Sequence, residues 1–195
     1  DSCLVGSEMC IRDSYSIVHA GTSYCFDLSI FELFYPLSVG KRIRILSSGI
    51  SSMDYLMIDQ DILINTVPSV VDHLLSHGGD LSQVSVLNMA GEPIPEPLIA
   101  KIDRSEIEVR NLYGPSETTT YSSVYRFRVG SNKVLIGSPI SNTGIYILDE
   151  YQGLCGIGLY GELYISGAGV SRGYIHNAEL TSERFIDNPF KEGSK

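Results

Sequence analysis

The order of short β-branched runs and helical stretches predicts an α/β fold, a parallel sheet flanked by helices and followed by a small β-rich subdomain. Three observations carry that prediction. From Phe26 onward, runs of strand length alternate with helical patterns. Glycines close the helical stretches at Gly40 and Gly78. After Tyr121 the helical pattern gives way to strands separated by Gly, Ser and Asn.

In FDLSIFELFYPLSVGKRIRIL, Ser29 and Glu32 have capping-box spacing, Gly40 ends the helix, and Arg42 to Leu46 alternates as a strand. A strand at Ile62 to Thr66 leads to a helix from Pro68 to Ser76, with proline in its first turn. Strands follow at Val84 to Met89 and near Ile107 to Leu112. The segments SSVYRFRV, TGIYILDE and GELYISG make up the β-rich part, and Asn177 to Phe185 reads as a closing helix. The expected organisation is an α/β part over 15–121 and a β-rich part over 122–195 of the same domain. Leu4 to Ser14, LVGSEMCIRDS, reads as the translation of a tagmentation sequencing adaptor, so residues 1–14 are set aside and the protein is read from Tyr15.

With 195 residues, 43% of them hydrophobic and 19% charged, the composition is that of a globular chain. A formal charge of −9 and the lack of any Lys/Arg cluster weigh against nucleic acid as a partner. No apolar run approaches the roughly 20 residues that cross a bilayer, and no basic-then-apolar leader opens the chain. A cytoplasmic protein without a membrane partner is the expectation. Cys3, Cys10, Cys25 and Cys155 have neither metal-ligand spacing nor the density of a disulfide scaffold.

Three segments hold residue types that packing alone does not explain. In FDLSIFE, Asp27 lies between Phe26 and Leu28 ahead of a helix, where a carboxylate in apolar surroundings must find a cation or shift its pKa. An exposed turn aspartate is the plainer reading. NLYGPSETTTY, Asn111 to Tyr121, follows a strand; its Ser116, Thr118 and Thr119 offer hydroxyls for phosphate and Glu117 a hard carboxylate for magnesium. A simple capped turn would read the same way. The glycines of YGELYISGAGVSRGY, Tyr160 to Tyr174, miss dinucleotide-fingerprint spacing, which removes the main support for an NAD-dependent oxidoreductase.

Taken in order, these segments resemble the adenylate-forming, AMP-binding enzymes, and specifically the adenylation domains of nonribosomal peptide synthetases. FDLSIFE is similar to the family's FDxSxxE, AGEP at Ala90 to Pro93 to its GGEA-like turn, NLYGPSE to its NxYGPTE, and GELYISGAGVSRGY to its GELxxxGxGxxRGY. IGSPI and LTSERFIDNPF match as well, so the resemblance runs from Tyr15 to Phe190.

The resemblance implies that ATP and an amino acid are joined as an aminoacyl adenylate with release of pyrophosphate. The aminoacyl group then passes to a phosphopantetheine thiol of a partner carrier domain, with a condensation domain as neighbour. It makes Asn111 the adenine hydrogen-bonder and packs Tyr113 on the ring opposite Gly91, Glu92 and Pro93, with Gly114 also at the nucleotide. Ser116 is placed at the α-phosphate as a catalytic residue beside Glu117, the magnesium ligand. Asp27 pairs with the substrate ammonium. Leu28, Phe31, Asn65, Asn88, Ala90, Leu112, Thr120 and Tyr121 line the side-chain pocket with it. Because no charged residue joins Asp27 in that set and its large members fill the cavity, a small uncharged substrate is implied, L-alanine first, with glycine and serine as competitors. Ser116 stands where the family usually has Thr. The upstream phosphate loop, the downstream ribose-binding Asp and the catalytic Lys have no counterpart in the sequence, so the chain as given is expected to be inactive. Two readings stay open beside this one: an acyl- or aryl-CoA ligase, against which Asp27 argues, and a noncatalytic nucleotide-binding remnant.

Overall fold

Strand pairing along the chain builds one large mixed sheet. The computed structural model describes residues 15–102, 106–130 and 133–190; the adaptor-like segment lies outside them. The strands β1 (Ile17–Ala20), β2 (Arg42–Ile45), β3 (Ile62–Thr66), β4 (Val84–Met89) and β5 (Glu108–Tyr113) run parallel in the order β2-β1-β3-β4-β5. The apolar runs of β3 and β4 reflect burial on both faces. Helix α1 (Leu28–Ser38) contributes Phe31 and Tyr35 to one face, against Val18, Leu63, Val86 and Leu112. Helices α2 (Pro68–Ser76) and α3 (Glu96–Lys101) cover the other, where Val71, Leu98 and Ile99 pack on Ile62, Ile64, Leu87 and Val109.

In the order 2-1-3-4-5 the winding reverses between β1 and β3. The loops leaving these neighbouring strands diverge, and the crevice they leave is where doubly wound sheets bind ligands. Asp27 and α1 follow β1 at this edge of the sheet.

The sequence reading and the structure part in three places. The strand in SSVYRFRV, β6 (Ser123–Arg126), pairs antiparallel with β5, and β7 (Ser138–Pro139) pairs with β6. The large sheet therefore continues past the expected boundary at 122, because the free edge of β5 is satisfied by the chain turning straight back on it. The separate two-stranded sheet is β8 (Thr143–Leu148) with β9 (Glu162–Gly167). The capping box does not form: Asp27 is the N-cap, Ser29 Oγ donates to the Phe26 carbonyl, and the Glu32 carboxylate turns away to Thr22 and Asn65. Strand β1, helix α3 and a 3-10 helix at Gly49–Tyr55 have no counterpart in the sequence reading. The closing helix, α4 (Ala178–Arg184), has Asn177 as N-cap, accepting from the Leu180 N–H at 3.1 Å.

Candidate active site

Two segments far apart in sequence meet at the carboxyl ends of the strands. Tyr113 ends β5, and the chain then makes a 3-10 turn at Ser116–Thr118 before returning as β6. Ser116 Oγ donates to Asp27 Oδ2 at 2.7 Å, and Thr120 Oγ1 donates to the Asp27 carbonyl at 3.2 Å. The carboxylate at the start of α1 and the hydroxyl-rich loop thus form one polar centre.

The loop is held in an unfavourable backbone state. Thr119 and Thr120 have φ of 60° and 72°, a left-handed pair of β-branched residues, each of which costs about 1–3 kcal/mol unless its surroundings over-determine it. The surroundings do. Ser122 N donates to Tyr113 O at 2.8 Å, Thr118 and Ser122 hydroxyls lie 2.6 Å apart, and Thr119 Oγ1 donates to the Gly169 carbonyl at 2.7 Å. Gly169 can take that position because it lacks a side chain: a Cβ there would sit 2.7 Å from Thr118 O.

Glu117 is fixed by the same glycine-rich segment. Tyr174 donates its hydroxyl to Glu117 Oε1 at 2.5 Å, and Ser171 N donates to Glu117 O at 2.8 Å. The Tyr174 hydrogen bond holds the Glu117 carboxyl below the usual range, with Arg184 adding to the effect, so Glu117 is an anion at neutral pH. Among the described residues no group of three or more His, Cys, Asp or Glu side chains is placed to hold a metal ion alone. A single ionised carboxylate suits magnesium shared with phosphate oxygens, since this ion keeps water and uses one or two protein carboxylates.

A cleft of about 480 Å³ opens beside this loop, lined by Gly91, Glu92, Pro93, Asn111, Tyr113 and Gly114 among others, and closed by Val134, Leu135 and Ile136. Gly91 has φ +80°, which turns the chain at the end of β4. The Glu92 carboxylate is engaged elsewhere, accepting from Ser69 N at 3.1 Å and Ser69 Oγ at 3.0 Å at the start of α2. Asn111 Nδ2 donates to Leu135 O at 2.8 Å, which directs the amide oxygen as an acceptor. An aromatic face, a flat backbone turn and one amide acceptor are the complement of a purine ring with an exocyclic amino group.

The residues expected to line the substrate pocket also come together. Phe31, Ala90, Leu112 and Tyr121 are buried in one cluster with Leu28 packed against it. The Phe31 and Tyr121 rings meet edge-on, 5.5 Å between centroids. Tyr121 donates to Asn65 Oδ1 at 2.6 Å, and Asn88 Nδ2 reaches the same oxygen at 3.4 Å. Burial keeps the Tyr121 phenol neutral. Sequence reasoning missed Glu32, a fully buried carboxylate bonded to Asn65, and Tyr174. The second acidic residue of FDLSIFE was the only available signal for Glu32, and its spacing from Ser29 suits a cap equally well.

The chain is similar to known proteins in sequence family and in fold. The AMP-binding enzyme family matches residues 4–175, a range that takes in the adaptor-like segment. AMB antimetabolite synthetase AmbB of Pseudomonas aeruginosa is 40% identical over 183 residues, which are 91% of this chain and 15% of that protein. Tyrocidine synthase 2 of Brevibacillus parabrevis is 38% identical over 194 residues, 96% of this chain and 5% of that protein. The chain thus spans a small part of the length of these relatives. A four-domain nonribosomal peptide synthetase, holo-AB3403 bound to AMP and glycine, superposes with a TM-score of 0.83 at 30% identity, over 95% of this chain and 14% of that one. The N-terminal subdomain of NpsA from Klebsiella oxytoca, solved with 3-hydroxybenzoyl-AMSN, shares the fold with a TM-score of 0.82 at 21% identity, over 94% and 49% of the two chains.

Proposed function

The chain belongs to the AMP-binding enzymes, with nonribosomal peptide synthetase adenylation domains as its relatives, and from that premise we propose that it forms the nucleotide and amino-acid site of a domain activating a small uncharged amino acid, L-alanine first. The observation that carries the proposal is the 2.7 Å bond between Ser116 Oγ and Asp27 Oδ2. It puts the group suited to a substrate ammonium beside the group suited to a phosphate oxygen, as joining an amino acid to a nucleotide requires.

In this reading a carboxylate oxygen of the amino acid attacks the α-phosphorus of ATP. The bond from that phosphorus to the bridging oxygen breaks, and pyrophosphate leaves with the electron pair. Asp27 binds the ammonium, Ser116 donates to an α-phosphate oxygen, and Asn111 and Tyr113 orient the adenine, so the reacting atoms are held in line. Magnesium, when bound, neutralises phosphate charge, and Glu117 is the residue to hold it. Phe31, Leu112 and Tyr121 fill the side-chain space, which supports alanine, glycine or serine over larger residues. The carrier-domain phosphopantetheine thiol and a condensation domain are the proposed onward partners.

Titration of the intact parent synthetase with a sulfamoyl analogue of alanyl adenylate tests this. Tight binding is expected, weakened about 100-fold by Asp27→Asn, since removing one partner of a desolvated ion pair costs several kcal/mol and this one is part-exposed. Binding that ignores Asp27→Asn, together with preference for an aryl or fatty acyl analogue, would instead favour a CoA-ligase-like site.

A further inference from the structure

Outside the expected site residues lies Glu32, a carboxylate with 0% exposure that no cation neutralises among the described residues. It sits on α1 beyond Asp27, bonded to Asn65, one of the residues expected to line the amino-acid pocket, at the point where the winding of the sheet reverses. Its Oε2 accepts the Thr22 backbone N–H at 3.0 Å, and the Gly21 N–H also contributes. Its Oε1 accepts the Thr22 hydroxyl and, at 3.2 Å, the Asn65 Nδ2. The backbone N–H groups can only donate and the Thr22 hydroxyl is free to, so an ionised carboxylate, accepting on both oxygens, satisfies these partners.

This fixes the polarity of everything beyond it. An acceptor-only partner compels Asn65 to present its nitrogen to Glu32 and its oxygen to the other side. That oxygen receives Tyr121 Oη at 2.6 Å and Asn88 Nδ2 at 3.4 Å. The Tyr121 hydroxyl hydrogen is therefore committed to Asn65. The network ends on Asn88 Oδ1, a buried acceptor with no hydrogen-bond partner among the described residues.

We propose that Glu32 is a specificity-determining positioning residue, which sets the donor and acceptor directions of Asn65, Tyr121 and Asn88 and so the polarity of the amino-acid pocket. This rests on the adenylation reading of the site. Glu32 touches no substrate; it acts through Asn65.

The isosteric change Glu32→Gln separates polarity from shape. At the Oε2 position the Thr22 backbone N–H demands an acceptor, so the glutamine oxygen takes that place and its NH2 takes the other. Two NH2 groups would then face each other. Asn65 must turn over, presenting its nitrogen to Tyr121, whose hydroxyl loses its acceptor. Adding Asn65→Asp restores the original pattern: one aspartate oxygen accepts from the introduced glutamine amide, the other from Tyr121 and Asn88.

Amino-acid-dependent ATP–pyrophosphate exchange by the intact synthetase tests the pocket role. Glu32→Gln is expected to raise KM for the amino acid about ten-fold while KM for ATP stays within about two-fold, as for a buried polar group left unpaired. The double variant Glu32→Gln/Asn65→Asp is expected to return the amino-acid KM to within about three-fold of wild type, which a merely structural role of Glu32 would not produce. A single variant with unchanged KM, or a double variant no better than the single, overturns the proposal. Wild-type enzyme that exchanges with no amino acid overturns the adenylation reading and the pocket role together. Side-chain amide NMR of the intact synthetase with isotope-labelled asparagine decides the orientation independently of activity. Asn65 amide protons near the Thr22 methyl in wild type, and near the Tyr121 ring in Glu32→Gln, support it; the same cross-peaks in both sink it.

Discussion

Substituting Gly114 by alanine tests whether the loop at the end of β5 is set by contact between its two legs. A Cβ on Gly114 would lie 2.6 Å from the Thr120 carbonyl oxygen and 2.8 Å from both Ser122 N and Tyr121 Cα. All three are backbone atoms, so no side chain can swing aside. Reaching ordinary contact near 3.4 Å requires the legs to part by roughly 0.6–0.8 Å, an overpacking strain of about 1–3 kcal/mol. Movement on that scale takes Ser116 Oγ, now 2.7 Å from Asp27 Oδ2, beyond good O–H···O distance, and shifts Glu117 with it. Because a misplacement near 1 Å costs about 100-fold in rate, exchange by Gly114→Ala is expected to fall about 10–100-fold. The control is Gly40→Ala, at φ +68° with nothing within 4 Å, which strains the end of α1 away from the loop. It should cost about 1–2 kcal/mol of stability and leave the rate unchanged. A folded Gly114→Ala enzyme with wild-type exchange would refute the reasoning.

Further outcomes follow from neighbouring groups. Tyr174→Phe removes the donor that orients Glu117, so half-maximal exchange should need about ten-fold more magnesium, read by titration of the metal at saturating ATP. His19 is buried with Nε2 3.0 Å from Asp59 Oδ2, beside Arg44, and burial holds the imidazole below its ordinary 6.5. From about pH 6.5 downward the unfolded chain takes up a proton that folded His19 refuses, so this contribution to stability is full above that pH and is lost on acidification. Urea melts at about pH 7.5 and 5.5 should give a smaller acid loss for His19→Gln than for wild type. The raised Glu32 pKa has the opposite sign and is common to both proteins, so the difference between them isolates His19. Alanine in place of Thr119 frees Gly169 O from its hydroxyl donor, and thermal melts should register a loss of about 1 kcal/mol.

What could be read from the sequence was whatever local chemistry decides. Pro68 in a first turn and Gly78 past the last fixed α2 at both ends, and β3 and β4 stood out as runs of β-branched residues between turn signals. Strand β1 is four residues, IVHA, and α3 six; neither is long enough to establish a period. The side on which β6 would pair depended on the free edge of β5, which no local pattern reports. The candidate site was legible for a different reason. Asp27, Asn111 and Glu117 stand in short motifs whose residue types are chemically conspicuous. Glu32 stands in the same motif as Asp27 and was misassigned, because its partners Thr22 and Asn65 lie 10 and 33 residues away and only the fold brings them in. The glycine-rich stretch likewise gave no hint that Gly169 and Tyr174 brace the Ser116–Thr120 loop.

The most direct test of the central claim is pyrophosphate exchange by the intact synthetase across a panel of carboxylic acids, run with magnesium and ATP. Recognition of the ammonium by Asp27 and a pocket narrowed by Phe31, Leu112 and Tyr121 predict exchange with alanine above glycine and serine, and little with leucine or phenylalanine. None is expected with propionate, which has alanine's size and no ammonium for Asp27. Exchange with propionate or benzoate equal to that with alanine would contradict it.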